Sequence, residues 1–311
     1  METENNIFPP KPLLRQAQDD KRNNLTRSLM SLFIYAILFY FLFDRNIGYI
    51  AAVLVVLLIH EFGHFFAMKL YNYQNVKLFI IPLLGAFVSG KKQSVSQKQM
   101  SIIILAGPVP GIIIGTALYI VNKTYDNETL KMLANVFIFI NIFNLLPIYP
   151  LDGGRLLENL FIKNNYGIRL VFTILSILFL VILISLSGNF IMVIIPVIMV
   201  YELYNEIKNQ KIRDYLSGEK LKYNLDYNDL PDKNYWIIRD CILFSFQKKY
   251  GGIPPGLYQY SVVEAMLMQH VMAVLRPNFN NDLSAYEKVL FLTIYIFFLI
   301  GVPITLFIMY S

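Results

Sequence analysis

Long apolar stretches alternate with short polar segments along most of this chain. Windows of about 17 to 25 mostly apolar residues are typical of helices that cross a lipid bilayer, and about seven such windows are present. They predict spans at residues 27–44, 47–71, 100–121, 131–148, 170–186, 190–206 and 289–310. The pattern therefore predicts an all-α polytopic membrane protein.

The composition agrees with this class. Hydrophobic residues make up 56% of the chain and charged residues 15%, whereas soluble domains have roughly one quarter charged residues. Cys241 is the single cysteine, so a disulfide within the chain is excluded and the redox compartment stays open. The polar N-terminus contains Pro9, Pro10 and Pro12 and lacks the pattern of a cleavable signal peptide.

The distribution of lysine and arginine predicts the orientation in the membrane, because these residues collect in cytoplasmic loops. With seven spans, one side carries most of them and the other side carries only Arg45, Lys123 and Lys131. We therefore expect a cytoplasmic N-terminus, with Ser311 on the far side, and a bacterial inner membrane as the location. No basic stripe is interleaved with stacking aromatic residues, so the lipid bilayer and not a nucleic acid is the expected partner.

Four segments follow from these patterns. Residues 1–26 form a polar cytosolic tail, and residues 27–206 form a transmembrane core. Residues 207–288 form a mixed cytosolic segment of unknown role, and residues 289–311 form a last transmembrane helix. The sequence leaves the oligomeric state open.

The second predicted span contains His60, Glu61 and His64 in the pattern His-Glu-x-x-His. Histidines four residues apart share one face of a helix, and the carboxylate lies beside the first of them. This is the arrangement of a zinc metalloprotease helix, in which the two imidazoles bind the metal and the glutamate is the general base. Measured from Lys69, which would lie at the cytoplasmic interface, His64 and His60 are roughly 8 and 14 Å deeper along the helix. The alternative is a pair of interior histidines that hydrogen-bond to other helices.

A third protein ligand is needed, because catalytic zinc usually has three protein ligands and one open position. The fourth predicted span is followed by Pro147 and Pro150 and then by Asp152, Gly153 and Gly154. The prolines predict that the helix stops within the membrane, and Asp152 would then lie in a water-filled cavity near the histidines. The alternative is a turn at the membrane surface, followed by a helix that begins at Arg155.

Together these motifs resemble the site-2 protease family of intramembrane zinc metalloproteases. The resemblance extends over about residues 47–165 and includes His60 to His64, Asn144 to Arg155, Ala106-Gly107-Pro108, and Ile81 to Val88. The last stretch is similar to a membrane-associated β-hairpin of the family, here between the second and third spans. Ala86 replaces a glycine of the family pattern, and the asparagine that follows Ala-Gly-Pro in the family is missing.

The resemblance implies that zinc binds to His60, His64 and Asp152 and that Glu61 is the general base. Asn144 is a further catalytic candidate, as a donor to the oxyanion, although asparagines in spans more often bond between helices. The implied activity is that of a zinc metalloendopeptidase in regulated intramembrane proteolysis, with transmembrane proteins as substrates. An unwound substrate would pair with the hairpin edge at residues 76–89.

Two other functions are compatible with the pattern. A catalytically silent scaffold that binds membrane proteins would retain the same motifs. A transporter would also keep polar residues and broken helices in the membrane, but the internal repeats of that class are not detectable here.

Gly107, Gly111 and Gly115, spaced every fourth residue, predict close helix packing beside the histidine helix, with homodimerisation as the alternative.

Overall fold

The computed structural model describes residues 8–13, 47–81, 85–92, 94–162, 165–188, 193–276 and 278–310. The chain in these ranges is mostly helical. The helices are α1 Ile47–Leu70, α2 Gln97–Ala106, α3 Pro108–Tyr125, α4 Glu128–Asn144, α5 Asp152–Leu157, α6 Tyr166–Ser187, α7 Ile194–Gly218, α8 Asp232–Ser245, α9 Gln247–Tyr250, α10 Glu264–Val274, α11 Ala285–Ile296 and α12 Val302–Tyr310. The strands are β1 Gln74–Ile81, β2 Gly85–Lys91, β3 Ser94–Ser96 and β4 Asn278–Asn280.

Four stretches of helix in the described residues are long and apolar enough to cross a membrane. They are Ile47–Leu70, Gln97–Tyr125, Tyr166–Leu186 and Ala285–Ile308. Each overlaps a predicted span, so the integral membrane class is confirmed.

The other three predicted spans have different outcomes. The span at 27–44 lies outside the described residues. The one at 131–148 overlaps α4, which has only 17 residues, and the one at 190–206 overlaps α7, which becomes polar from Glu202 onward. The total of seven spans stays a prediction.

The described residues belong to two compact units. The first, here called the membrane unit, comprises residues 20–197 and 280–311, and the second, here called the appended unit, comprises residues 1–19 and 198–279. In the membrane unit, α1 packs against α4 through apolar side chains such as Val53, Val56 and Phe137. The appended unit has its own core around Tyr235, Trp236 and other residues of α8, α10 and the end of α7. The four-segment division predicted from the sequence stays a prediction.

A β-hairpin connects α1 to α2. Strands β1 and β2 are antiparallel, and their register pairs Lys77 with Ser89 and Ile81 with Gly85. Residues 82–84 lie outside the described residues. The pairing of these two strands is observed, whereas the predicted location of the hairpin at the membrane stays a prediction.

Helix α4 ends at Asn144, as the two following prolines predict. A short irregular segment then reverses the chain through backbone hydrogen bonds such as Leu151 N to Ile148 O at 2.9 Å. Helix α5 begins at Asp152, whose side chain lies in the first turn and is buried. The alternative of a surface turn with a helix starting at Arg155 is therefore wrong.

Candidate metal centre

Two histidines of α1 face the interior of the membrane unit. Because His60 and His64 are one helical turn apart, their rings lie on the same face, and their Nε2 atoms are 3.2 Å apart. Both side chains are buried, with relative exposures of 3% and 6%. The helical spacing alone therefore brings two metal-binding nitrogen atoms together.

Asp152 approaches this pair because α4 ends early and the chain turns back into α5. Its Oδ2 atom lies 3.0 Å from Nε2 of His60 and 3.1 Å from Nε2 of His64. Its other oxygen, Oδ1, lies 3.5 Å from the guanidinium of Arg155. The structure thus brings together the three residues that the sequence predicts as ligands.

The outer ring nitrogens determine the tautomers of both histidines. His64 Nδ1 lies 2.7 Å from the backbone carbonyl of Ile103, which can only accept, so this nitrogen donates. His60 Nδ1 lies 2.8 Å from Asn141 Oδ1. The amide of Asn141 is oriented by its NH2 group, which donates to Phe137 O at 2.7 Å. In the neutral rings, both Nε2 atoms therefore carry lone pairs.

Three lone-pair acceptors, the two Nε2 atoms and the Asp152 carboxylate, thus converge with no donor between them. Such acceptors repel one another when buried unless a cation lies between them. Ligand atoms 2.0–2.2 Å from a tetrahedral zinc are about 3.3–3.6 Å apart, within a few tenths of an ångström of the observed separations. This trio is the only cluster of at least three potential metal ligands in the described part of the chain. The residues therefore fit a divalent metal with two imidazoles and one carboxylate.

Glu61 follows the first histidine on α1 and is also buried, with a relative exposure of 6%. Its Oε2 atom makes no hydrogen bond with any residue that the structure describes. A buried carboxylate oxygen without a partner is costly and needs an explanation. The chemical role that fits is contact with a molecule that the protein itself does not supply, such as a reacting water.

Comparison with known proteins finds similarity to a peptidase family and to a zinc metalloprotease. The model of peptidase family M50 matches residues 48–128. The zinc metalloprotease MJ0392 of Methanocaldococcus jannaschii is 27% identical over 222 residues, which are 65% of this chain and 63% of that protein. The stage IV sporulation protein FB of Bacillus subtilis is 30% identical over 113 residues, or 36% of this chain and 39% of that protein.

These matches support a resemblance to the site-2 protease family. The resemblance stated from the motifs is thereby confirmed. The matched region covers less than two thirds of the length of either relative. A solved structure, the site-2 protease from Methanocaldococcus jannaschii, aligns with 58% of this chain and 87% of its own, at 23% identity and a TM-score of 0.42.

The side chain of Asn144 makes no hydrogen bond with His60 or His64. Its NH2 group donates to Ile140 O on its own helix at 3.0 Å. Its predicted role as an oxyanion donor therefore stays a prediction.

Asn141 is the site residue that sequence reasoning missed. It is fully buried, and it lies three residues before Asn144 and about one helical turn from it. An asparagine in the apolar middle of a span was a usable signal, because a buried amide needs partners. The sequence did not reveal which of the two asparagines faces the histidine helix.

The spaced glycines explain how the helices around the site approach so closely. A Cβ atom on Gly107 would lie 2.3 Å from His64 Nε2, and one on Gly111 would lie 2.2 Å from Asn141 Nδ2. On α1 itself, a Cβ atom on Gly63 would lie 1.9 Å from Ala106 O. The predicted close packing beside the histidine helix is confirmed, and every one of these contacts is within the chain.

Proposed function

We propose that this chain is an intramembrane zinc metalloprotease that hydrolyses peptide bonds within or near the transmembrane helices of other membrane proteins. The observation that carries the proposal is the convergence of His60, His64 and Asp152 beside Glu61, whose Oε2 atom has no hydrogen-bond partner among the described residues. The match to peptidase family M50 and the name of the archaeal relative, a zinc metalloprotease, agree with it. Zinc would be held by the two Nε2 atoms and the Asp152 carboxylate.

Each residue of the site has a separate task in this mechanism. Bound zinc supplies Lewis acidity toward the peptide carbonyl and makes a water more acidic. Glu61 accepts the proton of the attacking water and returns it to the leaving nitrogen, so a single carboxylate serves as base and then acid. Asn141 and the Ile103 carbonyl hold the imidazoles in the tautomer that leaves both Nε2 atoms free for the metal. Asn144 is the proposed donor to the oxyanion.

The substrate must unwind near the site, because the peptide bonds of a helix are shielded by their own hydrogen bonds. The two-stranded sheet of β1 and β2 leaves outer edges unpaired within the described residues. An exposed strand edge binds an extended peptide through main-chain hydrogen bonds. We therefore assign the hairpin edge at residues 76–89 to substrate binding. The site would open toward the cytoplasm, on the side of the N-terminus.

The first test is Glu61→Gln in detergent-solubilised protein, with a transmembrane model substrate. Loss of the general base should lower the cleavage rate by about 10²-fold or more, whereas zinc content measured by metal analysis should stay at the wild-type stoichiometry. The control is Glu128→Gln, which changes an exposed glutamate at the start of α4 and should leave the rate unchanged. Cleavage by Glu61→Gln at near the wild-type rate would exclude Glu61 as the base.

Two further measurements separate the protease from its alternatives. Asp152→Ala should retain much less zinc after purification, and unchanged stoichiometry would mean that another residue binds the metal. Wild-type protein that binds the substrate but does not cleave it, with or without a chelator, would indicate the silent scaffold.

A further inference from the structure

A proline-rich segment near the N-terminus lies in the appended unit and contacts residues far from it in the sequence. Lys11 of this segment and its hydrogen-bond partner Tyr227 are 216 residues apart. Residues 8–13 read Phe-Pro-Pro-Lys-Pro-Leu. Proline fixes its own φ and disfavours the helical region for the residue before it. The segment is therefore biased toward an extended, polyproline-like conformation, in which the backbone carbonyls face outward for other groups to bind.

Each proline carbonyl of this segment accepts a hydrogen bond from an aromatic side chain. The pairs are Trp236 Nε1 with Pro9 O at 2.6 Å, Tyr227 OH with Pro12 O at 2.8 Å, and Tyr260 OH with Pro10 O. Proline lacks a backbone N–H, so a surface that recognises it must offer donors to the carbonyls. The three aromatic side chains supply those donors.

Lys11 is bound more completely than an ordinary surface lysine. Its ammonium group donates to the backbone carbonyls of Tyr227, Asn228 and Leu230 at 2.7, 2.8 and 2.5 Å. An ammonium has three N–H donors, and these three acceptors use all of them. The backbone N–H of Lys11 donates to Asp232 Oδ1 at 2.8 Å. This position therefore selects lysine by its donors as well as by its charge.

The two ends of the segment define how far the contact extends. The ring centroid of Phe8 lies 4.6 Å from that of Tyr258, and Phe8 packs against the core of the appended unit. Leu13 is 87% exposed, and Pro10 is also exposed. The segment thus lies along the surface of the unit, where a separate peptide of the same sequence could lie.

We propose that the appended unit is a recognition site for proline-rich peptides that contain a lysine between prolines, and that Phe8–Leu13 is its tethered ligand. An aromatic groove that binds a preformed proline-rich strand is a recurring recognition mode. A tethered ligand acts at a raised effective concentration, so an outside peptide competes only when its own concentration is comparable. The partner class is a proline-rich segment of another protein that displaces the chain's own segment. The proposal does not depend on the protease activity.

The test uses a variant of the full chain that lacks residues 1–13, and a synthetic peptide of residues 6–14. Trp236 is the sole tryptophan, so intrinsic fluorescence reports directly on this site. Deletion should shift the emission to the red, and the peptide should reverse the shift saturably. The same peptide, carrying a fluorophore, should bind wild-type protein at least tenfold more weakly than the deletion variant. A peptide with Lys11→Met should bind the deletion variant much more weakly than the original peptide.

Two tyrosines of the appended unit provide a matched pair of variants. Tyr227→Phe in the deletion background removes only the donor to Pro12 O, and should weaken peptide binding by about two- to tenfold. Tyr250→Phe removes a hydroxyl that lies 3.5 Å from His270 Nδ1 and touches no residue of the segment. It should leave peptide binding unchanged. Equal effects of the two variants would overturn the assignment of the groove.

If residues 8–13 are only a structural part of the core, the peptide-binding measurements will give different results. If the deletion variant keeps its circular dichroism and elution volume but shows no saturable response to the peptide, the proposal is wrong. If the deletion variant does not fold, Lys11→Met in the full chain replaces it. That variant should bind the labelled peptide more tightly than wild-type protein does, and no gain would overturn the proposal.

Discussion

Asn141 and Asn144 lie about one turn apart on α4, and their side-chain amides have different partners. The Asn141 carbonyl accepts from His60 Nδ1, whereas the Asn144 amide donates to a carbonyl of its own helix. An acceptor on the outer nitrogen of a metal-binding histidine fixes its tautomer and raises its basicity. Only Asn141 is therefore expected to affect metal affinity.

We predict that Asn141→Leu weakens zinc binding by about 10- to 100-fold. This is the usual effect of removing the hydrogen-bond partner of a metal-binding histidine. His60 Nδ1 would lose its buried acceptor, at a cost of about 1–3 kcal/mol. Competition with a chromophoric chelator measures the affinity.

The matched control is Asn144→Leu, on the same helix and of the same chemistry. It should retain wild-type zinc affinity and cleave more slowly, as the proposed oxyanion role requires. Loss of zinc in Asn144→Leu, or none in Asn141→Leu, would contradict this division of roles.

Among the elements, the contact of α1 with the junction of α2 and α3 positions the site. Gly107 separates these two helices, and its Cα lies so close to His64 that any side chain would overlap the ring. The sequence predicted this packing from the glycine spacing, because small residues permit close approach of helices in a membrane. The sequence did not predict that Gly107 lies directly beside the histidines and Gly111 directly beside Asn141.

We predict that Gly107→Ala lowers both thermal stability and zinc retention. The added methyl group must displace the His64 ring or separate the helices, and overpacking of this kind costs about 1–3 kcal/mol. Thermal unfolding in detergent and metal analysis measure the two effects. Gly218→Ala is the control, because nothing lies within 4 Å of a Cβ atom at that position. An unaltered zinc content in Gly107→Ala would mean that the helix contact does not position the ligands.

For the whole molecule, the two parts of the appended unit, one near the N-terminus and one after residue 198, must lie on the same side of the membrane, since residues 8–13 bind residues 227–236 directly. An even number of spans must therefore separate residue 13 from residue 227. The six spans predicted between them satisfy this condition. The lysine and arginine distribution predicts that this shared side is the cytoplasm.

Site-directed labelling tests this orientation. The single cysteine permits a cysteine-free background, Cys241→Ser, into which Asp229→Cys or Thr124→Cys is introduced. Both positions are exposed. An impermeant maleimide should label position 229 in inside-out membrane vesicles and position 124 in right-side-out vesicles. Labelling of both positions from the same side would contradict the predicted topology.

The sequence by itself determined the features that depend on neighbouring residues. Apolar length predicts the spans, the four-residue spacing places His60 and His64 on one helix face, and the prolines after Asn144 stop α4. The tertiary structure alone decided which distant groups meet. The approach of Asp152, the choice of Asn141 over Asn144, and the binding of Lys11 in the appended unit each join residues far apart in the chain. Such contacts depend on how helices pack and on where each chain reversal points, and no local pattern of residues contains that information.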